Sequence, residues 1–192
     1  RQLVHDIIIN PKSYDVRNYV LQKDLGILQN TEVDNNNIKY NKEYWNSLLK
    51  DVGEMDYSST YMFIEDMVTI VYQLNKRYNK DIFKEINLNY LKDRFDNKLI
   101  DYKLVASILN FFTNKILNLE APIYNTETSD WIKISLNKIK DSWQQEIFPT
   151  VLISILKELY KKIDRIKVGI VDYKVNYLKS ILSKHGIEYE RD

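Results

Sequence analysis

Ser142-Trp143-Gln144-Gln145-Glu146-Ile147-Phe148, then Pro149 and a long apolar-periodic run, then Gly186-Ile187-Glu188-Tyr189-Glu190-Arg191: this closing stretch decides the fold. Within it Leu152, Ile155, Leu156, Leu159, Ile163, Ile166, Ile170, Tyr173, Tyr177 and Ile181 recur three or four residues apart. That spacing holds one apolar face along a continuing α-helix. Pro149 fits the first turn of such a helix, where its missing N–H costs no bond. The stripe is expected to run past Gly169 in unchanged phase, with room for a local bend there.

The same period recurs upstream. A short helical face over Gln2–Ile9 stops at Asn10-Pro11, and Asp15 is placed to cap a segment ending near Gly26. Thr31–Asn37 reads as an Asn-rich loop. Tyr40–Val52 reads as a helix with Tyr44, Trp45, Leu48 and Leu49 inward, stopped at Gly53. Ser58 or Ser59 is the expected cap of a helix whose stripe is Ile64, Met67, Val68, Val71 and Leu74. Short segments follow from Asn79 (Ile82, Phe83, Ile86) and from Asn89 (Tyr90, Leu91, Phe95). Asp101 caps a strong helix with Val105, Ile108, Leu109, Phe112, Ile116 and Leu119 inward. Ala121-Pro122 ends it. Tyr124–Ser129 reads as a polar loop, and Ser129 or Asp130 as the cap of a helix over Trp131–Ile139.

Composition supports this reading. The chain has 192 residues with only 4 Gly and 3 Pro, too few for the many tight turns of a β protein. Hydrophobic residues make up 44%, enough for a core without staples. The expected fold is all-α: a single-domain multi-helix bundle over 1–192, of roughly seven to nine helices, with a long C-terminal helix. The frequent Asn, Lys, Ile and Tyr suggest an AT-rich genome.

Several function classes fall away. There is no Cys, which removes disulfides, thiolate metal sites and a Cys nucleophile and fits an intracellular, cytoplasmic protein. His5 and His185 are the two histidines, and neither stands at one-turn spacing from a carboxylate as a helical metal site requires. No metal and no cofactor is expected. The four glycines are isolated from one another, so no phosphate-cradling loop exists. No serine elbow is present. Carboxylate pairs such as Glu65-Asp66 and Asp93/Asp96 read as solvated helix faces rather than acid–base machinery. No apolar stretch reaches the ~20 residues that cross a bilayer, and the broken run Leu3–Ile9 lacks a signal-peptide pattern. The expectation is a protein that is not an enzyme.

A net charge of +1 gives no bulk attraction to nucleic acid or acidic membranes. The closing helix is nonetheless locally basic: residues 157–184 carry eight Lys or Arg against three acids. Lys161, Lys162, Arg165, Lys167 and Lys174 are the candidate anion- or partner-binding residues, interleaved with Tyr160, Tyr173 and Tyr177. The plainer reading is a solvated outer face, with Tyr173 and Tyr177 on the inward stripe. Trp45, Trp131 and Trp143 read as core or groove residues. Fifteen tyrosines cannot all be buried, which favours a surface for a protein partner.

Short blocks, in order, carry a resemblance. They are Leu3-Val4-His5-Asp6-Ile7, Tyr44-Trp45-Asn46-Ser47-Leu48, Phe63-Ile64-Glu65-Asp66-Met67, Leu119-Glu120-Ala121-Pro122, and Lys167–Arg191 with its Glu188-Tyr189-Glu190-Arg191 end. In these blocks the chain resembles the T-complex protein 11 family, with Asp6 where Glu is usual and Glu120 where Cys is common. It is similar to the N-terminal half of members, as a divergent or truncated one. The resemblance implies an intracellular all-α protein without a catalytic site, linked to cyclic-AMP and protein-kinase-A signalling. It supplies no site residues to carry over. Three readings stand: first a helical protein-interaction module, then a protein that binds anions or nucleic acid on the basic face, and last a hydrolase or metal enzyme, which would need a pocket of convergent carboxylates and His.

Overall fold

The computed structural model describes residues 39–76 and 80–189. These residues form seven α-helices and no strand. They are α1 (Lys42–Gly53), α2 (Ser58–Leu74), α3 (Ile82–Glu85), α4 (Leu88–Asp96), α5 (Tyr102–Leu119), α6 (Asn125–Ser142) and α7 (Phe148–Tyr189), with a 3-10 turn at Pro122–Tyr124 before α6. The all-α expectation and the long final helix hold. The readings placed on Gln2–Ile9, Asp15, Gly26, Thr31–Asn37, His5, Asn79 and Glu190-Arg191 lie outside the described residues, as does the side chain of His185. No described helix is long and apolar enough to cross a membrane.

The chain divides into two compact units, one over 34–166 and the other containing 167–192. In the first, α2 is the central element. Ile64, Met67, Val68, Val71 and Leu74 are all buried along it, as its period requires. It packs against α1 and α4, while α5 packs against α6. Leu152 and Leu156 of α7 meet Ile64 of α2 and Ile108 and Leu109 of α5 around a small cavity of about 20 Å³. An aromatic cluster ties α1, α2 and α7 together. Tyr40 lies edge-on to Phe63 at 5.6 Å and 4.8 Å from the Tyr160 ring, and Trp45 stands 5.5 Å from Phe63. The Tyr40 hydroxyl donates to Asp66, which Lys39 also engages. Burial in this cluster pushes the Tyr44 phenol up to about 12.

Local chemistry explains the helix ends, with some shifts from expectation. The Asp101 carboxylate accepts from Leu104 N at 2.7 Å, the cap expected at α5. At α4, read to run from Asn89, the cap is Asn87, which accepts from Tyr90 N. At α2 neither Ser58 nor Ser59 caps. Asp56 accepts from Ser58 N, and the Ser59 hydroxyl instead donates to Asp51. Gly53 lies inside α1, and the left-handed position is Met55 at φ 59°. There Asp56 N bonds Asp51 O and Met55 N bonds Val52 O, the two bonds of a Schellman stop. Lys98, at φ 56°, closes α4 in the same way.

Two expectations are overturned. Tyr124–Ser129 is not a polar loop, because α6 starts at Asn125 and neither Ser129 nor Asp130 is its cap. The physical reason is tertiary: Glu127 and Thr128 bond residues on α7 and at the end of α5. The stripe of α7 also changes phase. Leu152 through Ile166 are buried as expected, but in the second unit Val171 and Val175 are buried, while Tyr173 is 72% and Tyr177 59% exposed. Periodicity marks apolar columns but cannot say which of two neighbouring columns is covered.

Candidate functional site

The carboxyl end of α5, the 3-10 turn and the first turn of α6 form a corner against α7. Two of the five candidate cations point into it. Lys162, only 2% exposed, donates to Glu127 at 2.6 Å and approaches the Thr128 hydroxyl at 3.4 Å. Its ammonium also lies 5.4 Å from the Trp131 ring centre. Arg165, one turn on, donates to Glu127 at 3.0 Å and to Glu120 at 3.2 Å, and its guanidinium stacks 3.8 Å from the Tyr124 ring. The Thr128 hydroxyl donates to the same Glu120 oxygen at 3.0 Å.

This is a charge-balanced network of two carboxylates and two cations. The Glu120 side chain is 1% exposed and that of Glu127 51%. Hydrogen bonds from Lys162 and then Arg165 hold the Glu127 carboxyl below the usual carboxylate range. Burial works against the Arg165 charge, but the bonds to Glu127 and Glu120 outweigh it. Three side-chain atoms of the corner, Glu120 Oε1, Asn125 Oδ1 and Arg165 Nε, are buried without a hydrogen-bond partner.

The other three candidates are placed apart. Lys161 is exposed and 3.5 Å from Glu158. Lys167 and Lys174 are half-buried in the second unit and engaged in interactions of their own. Of the five candidates, Lys162 and Arg165 are thus held inside the corner, while Lys161 faces outward. The residues that sequence reasoning missed are Glu120, Tyr124, Glu127 and Thr128. The available signal was weak: acids at 120 and 127 could match cations at 162 and 165, but nothing local pairs them.

Thr128, whose hydroxyl contacts the Lys162 amine, is fully buried. Among the described residues no group of His, Asp or Glu is arranged to hold a metal ion. The carboxylates of the two pairs each bond partners of their own: Glu65 bonds Tyr61, Asp66 bonds Tyr40 and Lys39, Asp93 bonds Asn97 and Asp96 bonds Lys92. A surface groove of about 360 Å³ between the end of α6 and the start of α7 is lined by Lys138, Asp141, Gln145, Ile147 and Ser154. Of the tryptophans, Trp45 is buried, while Trp131 and Trp143 are half-buried.

No curated protein and no solved structure matches the chain. Residues 3–192, nearly its whole length, match the family profile described as T-complex protein 11, and the chain belongs to that family.

Proposed function

We propose that this chain is a non-enzymatic helical module that binds a protein partner. The observation that carries the reading is the pair Tyr173 and Tyr177, exposed one turn apart on α7 at 72% and 59%. Tyrosine offers a large, stiff contact surface at low entropic cost, which is why it recurs at the centres of interfaces. The reading is tested by recovering the chain from its native cell beside a Tyr173→Asp/Tyr177→Asp variant of unchanged helicity. A stoichiometric partner lost in the variant supports it. Recovery of no stoichiometric partner, or equal recovery with both chains, overturns it.

The finer proposal, from the family likeness, is a role in cyclic-AMP and protein-kinase-A signalling in an intracellular, cytoplasmic setting. Its test is the cyclic-AMP activation curve of the kinase holoenzyme with the chain added. A shifted midpoint supports the link, and an unchanged curve at saturating chain removes it. Anion or nucleic-acid binding has less support, because Lys162 and Arg165 are already neutralised within the protein.

A further inference from the structure

We infer that the first turn of α6 is conditional: the helix has two start points, Asn125 and Ser129–Asp130, and the buried ion network selects the first. Three observations carry this. The residue preceding α6, Tyr124, makes no side-chain cap bond, so the start at Asn125 follows the 3-10 turn of Pro122 without the capping side chain most helix starts have. What holds the turn instead is long-range: Glu127 and Thr128 are bound by Lys162, Arg165 and Glu120. The closed state also buries Asn125 Oδ1 and Glu120 Oε1 without partners, and opening would return both to water.

One turn further along, Ser129 and Asp130 are adjacent residues of the two best capping types. In the closed state they lie inside the helix and cap nothing. If the network lets go, either side chain can accept from the amides that follow, and α6 restarts there without losing Ile132, Ser135 or Ile139 from the core. The turn preceding it carries Ile123, 82% exposed, and its Tyr124 ring rests on Arg165, so Arg165 holds this turn as well. The device is a latch: α7 supplies the bolt, Lys162 and Arg165, and the segment 121–129 is what it holds.

The test is Lys162→Met/Arg165→Met, which withdraws both cations while keeping side-chain bulk and leaving the sequence of α6 untouched. Carbon chemical shifts of 125–128 should lose their helical values. Amides 129–132, whose helical bonds run back to those residues, should exchange at least about tenfold faster, while amides from 134 onward keep their protection. A second pair, Ser129→Ala/Asp130→Ala, reads the alternative start. It should leave exchange along 134–142 unchanged in the unmodified chain, and speed it about fivefold when the two cations are absent, the expected worth of a cap. Equal acceleration along all of α6, helical shifts at 125–128 that survive, or an equal effect of the alanines in both backgrounds would each overturn the latch. Should the double cation variant not fold, Arg165→Met alone is read by the same criteria.

Discussion

Thr60 and Thr128 are equally buried threonines, at 2% and 0% exposure, yet their surroundings are opposite. Thr128 sits in the ionic corner, donating to Glu120 and contacting Lys162. Thr60 sits on α2 beside the small cavity walled by Ile64, Phe95, Val105 and Leu152, and its hydroxyl has no partner. The difference teaches that a buried polar group is worth what its partners make of it. A hydroxyl in an apolar wall is a cost, whereas the same hydroxyl bonded to a carboxylate and an ammonium orders a helix turn.

The largest effect expected from breaking this comparison is at its ionic end. Glu120→Ala strips a partner from both Arg165 and Thr128 and should cost about 3 kcal/mol, as removal of one member of a buried ion pair does. For a domain of this size that corresponds to a fall of roughly 6–12 °C in melting temperature, read by calorimetry. A change within 2 °C would show that the corner contributes little.

The same substitution at the two threonines sharpens the contrast. Thr128→Val leaves the buried Glu120 oxygen short of a donor and should destabilise by about 2 kcal/mol. Thr60→Val removes an unpaired hydroxyl at constant volume and should stabilise by about 1 kcal/mol. Urea midpoints of the two variants should therefore move in opposite directions. Equal signs would remove the distinction.

The smallest effect is electrostatic and appears in acid. The Glu127 carboxyl is lowered first by its bond from Lys162. A carboxyl lowered on folding adds stability above its unfolded value of about 4.3 and loses it as pH falls through the lower folded value. Between pH 5 and 3 the native chain should lose stability more steeply than Glu127→Gln. Because Glu127 is half exposed, added salt should shrink the difference. Parallel pH profiles would contradict the assignment.

Much of the fold could be read from residue spacing. The stripes of α2 and α5, the Asp101 cap and the first-turn Pro149 depend on neighbours three or four positions apart, and they emerged as expected. The start of α6 did not, because Tyr124–Ser129 is polar, and its helical state depends on partners on another helix. The helix read from Asn89 begins one residue earlier, at Leu88, because Asn87 caps it. Of the candidate site, the cationic residues were visible but their carboxylate partners were not.

By itself the sequence determined a helical protein, the apolar columns of each helix and a basic final helix, since each follows from side chains one turn apart. Tertiary structure alone decided the rest. It chose which column of α7 is covered, leaving Tyr173 and Tyr177 in solvent, and it spent Lys162 and Arg165 on glutamates 35 to 45 residues away. The physical reason is range: helix periodicity is a local steric property, whereas burying a charge requires a partner that only the packed chain brings within hydrogen-bond distance.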